Sequence, residues 1–107
     1  MTNPARPAGP AQFEFLAAGE GEPATVRAAG DIDLTNVRPF QAALDQAAAI
    51  TADMAAVTYC DSAAIRALFL AARQARLTIK VAAAGPINET LLKVSGLDQI
   101  AIVVTLD

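Results

Sequence analysis

Histidine and tryptophan are absent from the 107-residue chain, and cysteine occurs once, at Cys60. Without histidine the usual zinc sites and the histidine-based nucleophilic triads are excluded, which removes most hydrolase chemistry. No metal site and no cofactor is therefore expected. A single cysteine cannot form an intramolecular disulfide. No apolar window reaches the roughly 18 residues of a membrane span. The opening MTNPARPAGPAQ holds prolines where a secretory signal would hold an apolar core. These absences predict a cytoplasmic protein with no membrane insertion. Basic residues are also few: eight Lys and Arg against eleven Asp and Glu leave a net charge of -3. Phosphate recognition needs a clustered basic surface, and these are scattered, so no nucleic-acid partner is expected. The length allows one hydrophobic core and not two.

Residues 1–11, rich in Pro, Ala and Gly, read as a disordered leader ahead of one domain over 12–107. Phe13 and Phe15 alternate around Glu14, and Val26 and Ala28 around Arg27, with Gly19-Glu20-Gly21-Glu22-Pro23 between them. This predicts a β-hairpin. Thr35 or Asn36 is placed to cap a helix carrying Val37, Phe40, Leu44 and Ala47, with Pro39 in its first turn, where a missing N–H costs little. Residues 50–59 read as a strand with its exit loop, followed by a helix from about Ser62 to Arg76. Leu77, Ile79 and Val81 alternate with Thr78 and Lys80, as in a half-buried strand. Pro86 is expected to open a short helix bearing Ile87, Leu91 and Val94, closed by Gly96. The apolar run Ile100–Val104 predicts a strand covered on both faces. The order ββαβαβαβ implies an α/β fold: a mixed sheet with right-handed crossovers and helices packed on it.

Within this frame the stretch CDSAAIRALFL, residues 60–70, sets one carboxylate and one hydroxyl at the start of a helix. Asp and Ser are favoured N-caps, and a hydroxyl at the positive end of a helix is also suited to accept a phosphate. Both readings of Ser62 stand at this point. An enzyme using Asp61 as acid and Ser62 as nucleophile lacks a base to activate the serine, so no catalytic residue is assigned. At 100° per residue, Ile65, Leu68, Ala72 and Ala75 form the expected core face of this helix. Arg66 and Arg73 lie opposite, and Leu70 falls on their side, ending an apolar strip from Ser62 through Ala63 and Ala67. Leu70 is then either a lone surface leucine or part of a contact surface. Cys60 reads as a small buried apolar residue. Asp53 reads as a carboxylate near a strand end, bonded to backbone N–H groups.

Three segments resemble the STAS domain family, which includes bacterial anti-sigma factor antagonists. Gly30-Asp31-Ile32-Asp33 resembles the family's turn after the second strand. Ala52-Asp53-Met54-Ala55-Ala56-Val57-Thr58-Tyr59 resembles its third strand. Asp61-Ser62-Ala63-Ala64-Ile65 resembles its Asp-Ser turn, with Ala64 where the family usually has glycine. The likeness spans residues 13–107. It implies an antagonist that binds an anti-sigma factor of the serine kinase type and regulates sigma-factor-dependent transcription. Ser62 is then the phosphorylation site, with Asp31, Asp33, Asp61, Ala63, Arg66 and Leu70 in the partner contact. The alternative it implies is a non-phosphorylated scaffold subunit of a lipid-transport ATPase or a signalling complex. Asp31 and Asp33 read equally well as a solvated turn.

Overall fold

Alternation drives the first pairing. In the structure, a computed structural model that describes residues 11–106, strand β1 (Gln12–Leu16) runs antiparallel to β2 (Ala24–Ile32). Phe13 lies opposite Ala28 and Phe15 opposite Val26, so the apolar side chains share one face. The connection closes through the Glu22 N–H donating to the Gly19 carbonyl at 3.1 Å, with Gly21 at φ 80°, a conformation that favours glycine. The expected leader lies, except for Ala11, outside the described residues.

Helix α1 (Val37–Leu44) buries Phe40, Ala43 and Leu44. Phe40 stacks on Phe13 with ring centroids 5.3 Å apart. Strand β3 (Ala49–Cys60), helix α2 (Ser62–Gln74), strand β4 (Arg76–Ala82), helix α3 (Glu89–Ser95), a single 3-10 turn (Leu97–Gln99) and strand β5 (Ile102–Leu106) follow. The sheet order is β1-β2-β3-β4-β5, antiparallel in its first pair and parallel in the rest. The mixed α/β architecture and its element order are thus those the periodicities predict. The core lies between the helices and the sheet face carrying Val26, Ala28, Ile50, Ala52, Ile79 and Val81, all fully buried. Across the opposite face runs a row in register from Glu14 through Arg27, Asp53 and Lys80 to Val104.

Several boundaries differ from expectation, each for a physical reason. Strand β3 has no exit loop: it continues to Cys60 by absorbing two register shifts against β2, between Arg27 and Ala29 and between Gly30 and Asp31. Such bulges keep a long strand paired while changing which way its side chains face. Helix α2 stops at Gln74, because Ala75 is extended and Arg76 already belongs to β4. Helix α3 begins at Glu89 rather than Pro86, since Asn88 provides the cap by accepting from the Leu91 N–H at 3.0 Å. Gly96 ends it in the left-handed region at φ 86°, as anticipated. Val94 is 81% exposed and not a core residue. Strand β5 is an edge strand with Ile102, Val104 and Leu106 exposed, so it is not covered on both faces.

Helix α2 is also rotated from its expected phase. Its buried residues are Ala64, Ala67, Leu68 and Ala71, while Ile65, Ala72 and Ala75 pack at the flank. Alanine's small side chain gives a hydrophobic count little to distinguish inward from outward. Ala67 therefore belongs to the core and drops out of the strip expected to lead away from Ser62.

Candidate functional site

Asp61 joins two elements. Its Oδ1 accepts from the backbone N–H groups of Ala63 and Ala64 at 2.9 and 3.3 Å, capping α2. Its Oδ2 accepts from the Leu34 N–H at 3.1 Å, tying the helix entry to the loop after β2. Its own N–H donates to the Ile32 carbonyl at 3.2 Å. One short carboxylate thus meets three backbone donors, an arrangement that a charged acceptor serves better than a neutral one. The cap is Asp61 and not Ser62. Ser62 is the first helical residue and is exposed.

Asp31 sits within β2 rather than in a loop, because that strand runs on to Ile32. Gly30, at φ 86°, takes the backbone through the bulge immediately before it. The Asp31 carboxylate accepts from the Thr58 hydroxyl at 2.6 Å, a cross-strand bond between β2 and β3. Asp33 does lie in the turn, where its carboxylate accepts from the Thr35 N–H at 2.9 Å and from the Thr35 hydroxyl. Asn36 occupies the cap position of α1 without making a side-chain cap bond. Its side chain accepts from the Asp33 N–H at 2.9 Å and donates to the Asp31 carbonyl at 2.8 Å. The structure therefore brings the ends of β2 and β3 and the entry of α2 together, with Asp31, Asp33 and Asp61 all fixed by local bonds.

Along α2, Ala63, Arg66, Leu70 and Arg73 recur three and four residues apart and so share one stripe. Arg66 and Arg73 are exposed; Ala63 and Leu70 are half-buried. Leu70 is thus less open than expected. Asp53 lies mid-strand on the helix-free face rather than near a strand end. Its Oδ1 accepts from the Ala55 N–H at 3.2 Å, as anticipated, and its Oδ2 lies 4.0 Å from the Arg27 guanidinium, which sequence reading did not foresee. Cys60 is partly buried and packs on the core. Burial, and then the neighbouring Asp61 charge, push its thiol up to about 11. Two residues of the site were missed: Leu34 is 75% exposed and Tyr59, the only tyrosine, 53% exposed. Both are large apolar groups beside the acidic turn, and Leu34 was legible as an apolar residue inside a polar turn with no periodic partner. Among the described residues no cluster suited to a metal ion occurs, and no helix is long and apolar enough to cross a membrane.

A family model described as Mlab, STAS domain matches residues 15–105. The chain belongs to the STAS domain family. No curated protein matches the STAS chain in a sequence comparison. Among solved structures it is similar to the anti-sigma factor antagonist SpoIIAA in its unphosphorylated form, at 16% identity and TM-score 0.67 over 90% of each chain. It is similar to an anti-sigma factor antagonist from Mycobacterium paratuberculosis at 18% identity and TM-score 0.69, covering 86% of this chain and 85% of that one. A putative anti-sigma factor antagonist from Thermotoga maritima aligns at 12% identity and TM-score 0.67, over 89% and 86%. At such identities the likeness establishes the fold of this STAS domain.

Proposed function

We propose that this STAS domain is an anti-sigma factor antagonist: unmodified, it binds an anti-sigma factor of the kinase type and so frees a sigma factor; phosphorylated at Ser62, it lets go. The observation that carries this reading is that Asp61 makes the capping bonds while Ser62 stands exposed as the first residue of α2. A phosphate there would meet the positive end of the helix, so the modified domain stays folded. The chemistry belongs to the partner, with its ATP and magnesium. The Ser62 oxygen attacks the γ-phosphorus, the bond to the bridging β-oxygen breaks, and the hydroxyl proton passes to a base of the kinase. The STAS domain itself catalyses nothing.

Release follows from charge. A phosphate adds about -1.5 to -2. At a separation of roughly 7 Å from one carboxylate, with effective dielectric of about 40 to 80, each unit of that charge costs about 0.6 to 1.2 kcal/mol. The free domain bears this repulsion in water, but an interface closed over Ser62 strips the water away and strengthens it. A difference of about 2.7 kcal/mol between bound and free states is a hundredfold loss of affinity. Ser62→Ala is expected to bind a kinase-type anti-sigma factor about as well as wild type and to remain bound when ATP is added. Pull-down with and without ATP reads this directly, and a variant that still dissociates with ATP would overturn the switch.

The contact surface is Ala63, Arg66 and Leu70 on α2, with Asp31, Asp33 and Asp61 at its head and Leu34 and Tyr59 beside them. Leu70 is half-buried, yet it is not among the residues packed against the core. Leu70→Ala is therefore expected to weaken partner binding about tenfold or more while moving the melting temperature by about 2 to 4 °C or less. Leu68, fully buried, should do the reverse, with Leu68→Ala costing about 2 to 5 kcal/mol of stability. Calorimetric titration and thermal melts on both variants separate the roles. A second reading, a scaffold subunit of a lipid-transport ATPase or a signalling complex, draws on the description of the matching family model, Mlab. In that case Ser62 takes no phosphate under any kinase, which mass spectrometry of the mixed proteins reads.

A further inference from the structure

The two edges of the sheet are guarded differently. On the helix-free face, edge strand β1 presents Gln12 and Glu14, and Glu14 is paired with Arg27 at 3.2 Å. Edge strand β5, Ile-Val-Val-Thr-Leu, carries no charge, no proline and no bulge. Natural edge strands are blunted by one of these devices, because an open row of N–H and C=O groups recruits another strand. Side chains of β5 alternate: Val103 and Thr105 share the helix-covered face with their register partners Ile79 and Val81, while Ile102, Val104 and Leu106 line the helix-free face. These last three are 57%, 36% and 36% exposed.

We infer that β5 is a self-association edge, on which a second copy of this chain adds its own β5 antiparallel about a two-fold axis through Val104. The backbone selects that register. The Leu106 carbonyl accepts from the Ala83 N–H at 3.1 Å, on the β4 side. Successive residues of a strand turn their N–H and C=O groups to opposite sides, so Ile102, Val104 and Leu106 bond toward β4, and Val103 and Thr105 offer theirs outward. A two-fold axis perpendicular to the sheet keeps helix-covered faces together and helix-free faces together, so facing residues must share a face. Setting Val103 against Thr105 of the second copy, and Thr105 against its Val103, uses every outward group of the strand in reciprocal bonds.

The same register aligns the side chains. Val104 faces Val104 across the axis as a close, non-hydrogen-bonded pair, and Ile102 faces Leu106 on either side of it. Six apolar side chains then form one stripe across the joined sheets. Centring on Val103 instead would ask Ala101 for its N–H, which is already given to the Leu97 carbonyl at 2.9 Å. The shared surface is one strand wide, at the small end of specific interfaces, so the dimer is weak and reversible. It also leaves the α2 entry clear, because β4 stands between β5 and the strand that delivers Asp61.

Sedimentation velocity on the full chain is expected to show a monomer–dimer equilibrium with Kd at or below about 100 µM. Val104→Lys, which places two like charges across the axis, should weaken it at least about tenfold with an unchanged melting curve. In a Cys60→Ala background, Val104→Cys should oxidise to a disulfide-linked dimer at least about tenfold faster than Ile102→Cys, whose facing residue is Leu106. A wild-type chain that stays monomeric to about 1 mM overturns the inference, as does a dimer indifferent to Val104→Lys. Equal cross-linking by the two cysteines refutes the register. Should Val104→Lys fail to fold, the cysteine pair decides alone.

Discussion

Helices α1 and α2 both begin beside the same loop, yet their entries are built in opposite ways. At α1 the cap position holds Asn36, whose side chain turns back into the loop and ties the Asp33 N–H and the Asp31 carbonyl. At α2 the cap position holds Asp61, whose carboxylate serves the helix with one oxygen and the loop with the other. The first entry gives its side chain to the loop; the second holds helix and loop together. Because a single residue does both tasks at α2, the residue after it is released from structural duty. On the proposed function, that freedom is what Ser62 would need in order to be modified.

The largest effect expected from this comparison is at Asp61. Asp61→Ala removes three hydrogen bonds to a charged acceptor and is expected to cost about 2 to 3 kcal/mol. Asp61→Asn retains one acceptor for the cap but presents an NH2 group where Leu34 needs an oxygen, so it should cost about 1 kcal/mol. Asn36→Ala should fall between them, at about 1 to 2 kcal/mol, from two lost loop bonds. Denaturant melts rank the variants. If Asn36→Ala proves costlier than Asp61→Ala, the loop rather than the cap organises the site. Ser62→Ala and Ser62→Asp should both stay within about 0.5 kcal/mol, since neither disturbs the cap.

The smallest effect is a pH dependence next door to the cap. The Cys60 thiol is raised from its ordinary value near 9 to about 11 in the folded protein. A raised value means that folding favours the protonated thiol. Its stabilising contribution is complete below about pH 9, where both folded and unfolded chains are protonated, and is lost as pH climbs through 9 toward 11. Stability should therefore decline over that window, and Cys60→Ala should flatten the decline. Alkylation by iodoacetamide should be slower than for free cysteine at pH 8, and the thiolate absorbance should rise with a midpoint near 11.

The fold was legible where side chains differ in size and illegible where they do not. Phe13, Phe15, Val26 and Ala28 announce a hairpin because large and small, apolar and polar, alternate. Leu77, Ile79 and Val81 announce β4 for the same reason, and all are buried. Helix α2 holds five alanines among its thirteen residues, so its existence is legible but not its rotation, and Ala67 lies in the core rather than on the expected surface strip. The length of β3 was hidden by its bulges, which break a period of two without any glycine or proline in the strand. At the site, Asp61 and Ser62 were found together but their tasks could not be divided, because both residue types cap helices. The division became visible only with the Leu34 N–H in place beside the carboxylate. The apolar character of β5 was plain, but whether such a run is covered depends on what lies next to it, and β5 is last in the sheet.

Three of the four buried residues of α2 are alanines, namely Ala64, Ala67 and Ala71. Short side chains set how high the helix rides above the strands, and the first of them lies only two residues after Ser62. Every methylene added there would lift one end of α2 against a packed floor, at a cost of about 1 to 3 kcal/mol. The lift would also carry the serine away from Asp31 at the end of β2 and from the turn that holds Asp33. Ala64→Val is thus a change of altitude more than of chemistry: it alters no charge and no hydrogen-bonding group, yet it moves the position at which a kinase would have to find its hydroxyl.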